Sequence, residues 1–341
     1  MAYTAIADLV KNDAFTRYFT RALLDRSKLF KSGIAVADPF IQQKCNEAGF
    51  GGEFVSLPFF NALATGAGHG EEILNETDLT PDKVTAGKDV AVICRRGKAF
   101  GANDIAADIA GDDPMKVVAD QLADYWNVRN EARLMSVLKG VFARNVAHDN
   151  SDLVLDISGE ANDAALLTKD TLLLAAQKLG DRKMELTAIA MNSMVETYLA
   201  ALDTNAGLYR ASDAAATLPK YNGRDIIVDD NCLYDPSTKK VEIYLFGRGA
   251  IAYCDCPVKV PFEVGRNALS AGGQDFLVSR IANICHVRGY KWAVTDPNPA
   301  NDKSGTAGND GYVAGLSDGG NWDRVYDAKE IRVVKLIAKL A

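Results

Sequence analysis

The sequence predicts an α+β protein built round one very long helix, and three observations carry that prediction. An apolar stripe of helical period spans residues 114–144, an α/β alternation follows over residues 152–229, and a run of strand-like segments fills residues 241–292. The helix is the strongest signal. Residues 103–110 read as a short helical lead-in that breaks at Gly111-Asp112-Asp113-Pro114, where an Asp can cap and a proline at the first helical position costs no hydrogen bond. Met115, Val118, Leu122, Tyr125 and Trp126, then Leu134, Val137, Leu138, Val141 and Phe142, lie on one face. Asp120, Asp124, Arg129, Arg133 and Lys139 take the others. About 31 residues at the helical rise make a strut of roughly 46 Å.

Before it, residues 5–30 have helical spacing, with Phe15, Phe19 and Leu23 on one stripe and a break at Ser32-Gly33. An extended piece at 34–36 meets Asp38-Pro39, which opens a short helix running through Cys45 and ending at Gly49. Residues 53–60 read as strand. These small elements have no core of their own and must lie on something else, which is the pattern of an arm. Residues 61–80 are rich in Gly, Ala and polar side chains, and 82–86 and 89–94 read as two strand pieces joined across Gly87-Lys88. Together they suggest a two-stranded excursion leaving the body near Val55 and returning near Phe100. A lone hairpin is marginal in water, so it needs a neighbouring surface, and another subunit supplies one.

After the long helix, residues 152–157 read as strand, 166–179 as a helix opened by Thr168 and closed by Gly180, and 186–191 as an apolar strand. Ser193 is expected to cap the helix 194–202, and a loop over 204–220 precedes the strand 225–229. Strands are predicted at 241–246, 250–254, 258–264, 276–281 and 284–292. A Gly-, Asn- and Asp-rich loop covers 296–320, and 331–340 alternates as a final strand. No internal repeat is present.

Composition narrows the function classes. At 341 residues, 48% hydrophobic and 24% charged, the chain can bury a substantial core. A net charge of −7 argues against tight non-specific nucleic-acid binding by the whole surface. Residues 1–31 are the exception, with six Lys and Arg against three Asp, so a +3 segment sits on a −10 body. No apolar run reaches transmembrane length and no secretory signal pattern opens the chain, so a cytoplasmic setting and no membrane partner are expected. Cys45, Cys94, Cys232, Cys254, Cys256 and Cys285 have no framework spacing and read as reduced, buried, small residues. Cys254 and Cys256 would face one side of a strand and, with Cys285 and His286, form a zinc set on paper. The two-residue knuckle spacing is missing, so no metal is expected.

The usual catalytic patterns fail. The glycines at 66, 68 and 70 lack the strand-to-helix context of a dinucleotide loop, Gly87-Lys88 is followed by Asp89 where a phosphate loop needs Ser or Thr, and there is no Gly-x-Ser-x-Gly elbow. His69, His148 and His286 sit in no catalytic motif. Asp296-Pro297-Asn298 starts like a calcium loop but has Asn301 where Gly is needed and Ala307 in place of the closing Glu. Lys83 and Lys88 could in principle join an Asn of a neighbouring subunit by an isopeptide bond, though exposed hairpin lysines serve as solvated edge protectors. Tyr125, Trp126 and Trp292 read as core. No catalytic, cofactor-binding or metal residues are assigned, and no cofactor is expected.

Several stretches, in order along the chain, resemble the major capsid proteins of tailed bacteriophages. They are residues 102–115, 123–126 and 138–143; Met191-Asn192-Ser193; Leu218-Pro219-Lys220-Tyr221-Asn222-Gly223-Arg224; Tyr244-Leu245-Phe246-Gly247-Arg248-Gly249-Ala250; and Cys285-His286-Val287-Arg288-Gly289-Tyr290-Lys291-Trp292. The resemblance implies the Hong Kong 97 (HK97) capsid fold. It assigns an N-terminal arm to 1–52, an extended loop to 53–100, the peripheral domain with its spine helix 114–144 to 101–150, an axial domain to 151–255, and the return to the peripheral domain to 256–341. It further implies self-assembly into hexamers and pentamers of an icosahedral head assembled in the bacterial cytoplasm, and no enzymatic activity. The implied partners are other copies, a portal protein, scaffolding or decoration proteins, and packaged double-stranded DNA touched non-specifically on the inner face. Nothing before the arm looks like a cleavable scaffolding segment, so a scaffold is expected to be a separate protein. An encapsulin-like nanocompartment shell and a mixed α/β enzyme are the alternatives.

Overall fold

The computed structural model describes residues 33–48, 52–61, 63, 83–104, 114–202, 208–209, 220–221, 223–268, 273–294 and 314–341. The basic segment 1–31, most of the glycine-rich stretch, the lead-in 105–113, most of the 204–220 loop and residues 296–313 with the calcium-like pattern lie outside them.

The chain enters through β1 (Ala35–Ala37) and α1 (Pro39–Ala48). Asp38 opens α1 as expected, its Oδ1 accepting from the Phe40 amide at 2.9 Å. β2 (Phe54–Phe60) pairs antiparallel with β3 (Ala86–Val92), Phe54 opposite Val92 and Phe60 opposite Ala86. Gly87-Lys88 is therefore no joint between two strands. A Cβ at Gly87 would collide with the Phe59 ring, so the glycine makes room for a cross-strand aromatic instead of a turn. β4 (Cys94–Asn103) follows and takes Ala102 and Asn103 as strand, which removes Asn103 from the expected helical lead-in.

The spine, α2 (Pro114–His148), is one helix of 35 residues, about 52 Å long and a turn longer than the apolar stripe alone predicts. Leu122, Trp126, Leu134, Val137, Leu138, Val141 and Phe142 are buried as expected. Arg133 is not solvated. It is 3% exposed and donates to Asn130 Oδ1 and Asn283 Oδ1, because residues 132–138 are covered on every side.

The remaining elements build two sheets. β5 (Val154–Asp156), α3 (Lys169–Ala176), β6 (Leu186–Met191), α4 (Ser193–Leu202), β7 (Leu208–Tyr209), β8 (Lys220–Tyr221), β9 (Arg224–Val228), β10 (Tyr234–Asp235) and β11 (Lys240–Gly247) come first. β12 (Ile251–Cys256), β13 (Phe262–Asn267), β14 (Gln274–Val287), β15 (Tyr290–Trp292), α5 (Ala314–Ser317), β16 (Trp322–Arg324) and β17 (Val333–Lys339) complete the chain. Thr168 forms a reciprocal capping box with Thr171 at α3. The cap of α4 is Asn192, whose Oδ1 accepts from the Met194 amide at 2.9 Å, not Ser193.

One sheet has the order β1-β12-β14-β13 with β4 also on β14. The two strands predicted at 276–281 and 284–292 are one 14-residue strand and a separate short one, with the chain turning at Gly289 in a positive-φ conformation. The second sheet has the order β5-β17-β11-β6-β9-β8-β7 with β10 on β11. β17 lies between β5 and β11 and is buried on both faces, so the predicted alternation gives way to a central strand. The C-terminal half of α2 packs its buried side chains against both sheets in one apolar cluster, with Phe142 and Tyr244 among its largest members. α3, the turn after it and α4 cover the opposite face of the second sheet through Leu172, Leu179, Val195 and Leu199.

Candidate assembly surfaces

The β2–β3 ribbon combines a fixed base with an apolar far end. Among the described residues it pairs with no third strand. At its base Val55, Ala91 and Ile93 are buried with Ile41 of α1 and Ile284 of β14. Asp89 is 1% exposed and accepts from His286 Nε2 at 3.0 Å and from the Gly289 amide at 3.3 Å. Burial alone would push the Asp89 carboxyl up, but the electrostatic influence of His286 and the hydrogen bonds from His286, Gly289 and Val90 hold it below the ordinary value. Phe59 meets Tyr326 edge to face at 4.7 Å, tying the ribbon to the chain before β17. At the far end Asn61 and Thr85 are still joined by main-chain and side-chain hydrogen bonds of 2.9 Å. There Phe60 is 79% exposed and Leu63 and Val84 are largely uncovered. Lys83 and Lys88 are exposed as well.

The spine braces the sheets. Trp126 Nε1 donates to Ser279 Oγ at 2.9 Å, and Asn145 Nδ2 donates to Tyr290 Oη at 3.2 Å and to Asp152 Oδ1 at 2.6 Å. Tyr125, Trp126 and Trp292 thus serve as packing and bracing groups: Tyr125 stacks edge-on between Phe100 and Trp126, and Trp292 lies edge-on to Trp322. Lys335 of β17 is bridged to Glu242 of β11 at 2.7 Å beneath the rings of Phe142 and Tyr244. Leu173 and Leu174 of α3, with Met184 in the turn that follows, form a second exposed apolar face on the far side of the second sheet. Arg95, Arg96, Lys98, Lys259 and Arg280 line an open groove beside β4, with Glu263 neutralising Arg280 at 2.8 Å.

The titratable groups do not form a catalytic cleft among the described residues. His286 and Asp89 are sealed, with side chains 1% and 2% exposed, and His148 lies exposed at the end of the spine. The four-residue zinc set drawn from the sequence does not assemble. Cys285 stands opposite Tyr253 in the ladder, so it points away from Cys254 and Cys256, and His286 is committed to Asp89. Cys45 joins Cys254 and Cys256 instead, a grouping that no local spacing announces.

A long spine helix beneath two sheets, a two-stranded ribbon projecting from one of them and a chain entering along its edge define a shell subunit of the HK97-like capsid fold. Solved structures agree on that fold. The capsid of Ralstonia phage GP4 aligns over 93% of this chain and 92% of its own with a TM-score of 0.56 at 10% identity. The cyanophage Pam1 capsid aligns over 85% and 86% with a TM-score of 0.52, also at 10% identity. No family model matches the sequence. The major capsid protein of Bacillus phage SPP1 is 35% identical over 344 residues, spanning 100% of this chain and 99% of that one. The chain therefore belongs to the bacteriophage major capsid proteins, and its place is the virion head, where copies of itself are its neighbours.

Proposed function

We propose that this protein builds an icosahedral head of hexamers and pentamers round double-stranded DNA without catalysing a reaction. The observation that carries the reading is the ribbon: its base is buried against and hydrogen-bonded to the body while its far end leaves Phe60, Leu63 and Val84 exposed among the described residues. Such an end is stabilised by lying on a neighbouring copy, and many modest contacts of this kind close a shell. In this reading residues 1–52 are the arm, 53–100 the extended loop and 101–150 the start of the peripheral domain. Residues 151–255 are the axial domain, and 256–341 return to the periphery with their last strand threading back into the axial sheet. The axial role is supported by the apolar face of Leu173, Leu174 and Met184, suited to contact with other copies at a capsomer centre. A portal protein and scaffolding or decoration proteins are proposed partners.

Packaged DNA would be touched non-specifically by the +3 segment 1–31, which an acidic body leaves as the natural phosphate contact. Electron microscopy of the purified protein tests the main proposal. Closed icosahedral shells support it, and persistent monomers or small rings under assembly conditions refute it. Deleting residues 1–31 is expected to disturb assembly or DNA retention, and normal packaging by that variant would refute the assignment of the inward contact to this segment.

A further inference from the structure

Three thiols separated by up to 211 positions in the chain meet at one spot where α1 lies on β12. α1 brings Cys45. β12 brings Cys254 and Cys256, whose spacing of two along an extended strand puts both sulfurs on one face. The three Sγ atoms lie within 4.8 Å of one another, with Cys45 Sγ 2.9 Å from Cys256 Sγ. Cys254 Sγ is 3.2 Å from Gln42 Oε1, one turn before Cys45 on α1. The Gln42 amide is held in that orientation, because its Nε2 donates to the Asp255 carbonyl at 3.0 Å and to Asn46 Oδ1 at 3.3 Å. Ile41, Val55, Ile93, Ala252 and Ile284 wall the cluster on the inside. Cys45 and Cys254 are buried and Cys256 is half-buried.

We propose that Cys45, Cys254 and Cys256, completed by Gln42 Oε1, form a binding site for a soft divalent cation of the zinc class. Tetrahedral zinc with sulfur at about 2.3 Å and oxygen at about 2.1 Å sets S···S near ~3.8 Å and S···O near ~3.6 Å. The three sulfurs, and the Cys254–Gln42 pair, reach those separations by shifts of about 1 Å or less. Three thiolates match a soft ion, and the amide oxygen is a weaker fourth donor than a sulfur. On loading, each thiol still protonated gives its proton to solvent, and no oxidation state changes. The ion clips the helix at the foot of the arm to the sheet that carries the ribbon base. Closing so long a loop makes the clip a folding constraint.

The full-length protein, as unassembled chain and as shells, is purified without chelator for zinc analysis, then stripped and titrated with Co²⁺. About one zinc per chain is expected, with a thiolate-to-cobalt charge-transfer band on titration. Cys256→Ser, at the most accessible of the three positions, is expected to abolish the band. Gln42→Ala should weaken Co²⁺ binding about 10- to 100-fold. Cys94→Ser and Cys232→Ser, outside the cluster, should leave both readouts unchanged, and circular dichroism checks each variant for folding. Folded wild-type protein with neither zinc nor a cobalt band overturns the proposal whatever the variants do. So does an unchanged band in Cys256→Ser, or metal-free protein that loses two titratable thiols without reductant, which would make Cys45 and Cys256 a redox pair.

Discussion

Replacing Gly140 by alanine sets two physical effects against each other within the spine helix. Propensity favours the change: a helical glycine is worth about 1 kcal/mol less than alanine. Packing opposes it. An alanine Cβ would overlap the Leu316 carbonyl oxygen and lie 2.6 Å from Trp322 Nε1 and 2.9 Å from Trp322 Cδ1. These atoms belong to the segment that crosses the spine, where Trp322 Nε1 donates to the Leu316 carbonyl at 2.9 Å and the indole is 1% exposed. Prising the segment off costs about 1–3 kcal/mol in overpacking. Leaving the buried indole N–H unpaired costs about 1–3 kcal/mol more. Against the gain of about 1 kcal/mol, the net is a loss of about 3 kcal/mol, which for a chain of this length unfolding as one unit lowers Tm by about 4 °C. Thermal and urea unfolding at matched concentration and assembly state measure it, with Gly159→Ala as control because nothing lies within 4 Å of a Cβ there. Gly159→Ala should shift stability by no more than about 0.5 kcal/mol. A Gly140→Ala protein at least as stable as the parent would show that propensity wins and that the close crossing at Trp322 does not constrain the spine.

The other substitutions address the pair that anchors the ribbon, the buried ion pair between β11 and β17, and the ribbon's far end. The Asp89 carboxyl is held below its ordinary 3.8, so its contribution is present above that value and lost as pH falls through the folded-state pKa. Asp89→Asn should therefore cost about 1–3 kcal/mol at pH 7 and progressively less below 3.8; a gap that does not change with pH in urea titrations contradicts the lowered Asp89 pKa. Lys335→Met strands the Glu242 carboxylate, which also accepts from Tyr244 Oη at 2.7 Å, and should destabilise by about 3–5 kcal/mol. Glu242→Leu with Lys335→Met should recover most of that loss, and an additive double variant would rule out the coupling. Phe60→Asp should leave subunit stability within about 0.5 kcal/mol while lowering shell yield in light scattering and microscopy. Normal assembly by Phe60→Asp would free the ribbon end from its assigned contact.

By itself the sequence determined the spine, the α+β class, the projecting ribbon and the order of most strands. Those signals are local: an Asp-Pro start, a stripe repeating every three to four residues, and short apolar runs between turn residues are legible wherever the rest of the chain lies. What depended on distant partners was decided only by tertiary structure. Arg133 looks solvated until Asn283, 150 positions away, meets it, and Gly87 looks like a turn until Phe59 covers it from the paired strand. β14 reads as two strands because polar Asn283 interrupts its apolar run, yet that side chain is 1% exposed and bonded to Asn130 and Tyr253. Cys45 has no spacing relation to Cys254 and Cys256, and the three meet only because α1 lies on β12. Periodicity encodes which face of an element seeks burial, whereas the chemistry of a buried polar group is set by whichever remote side chain the fold places within bonding reach.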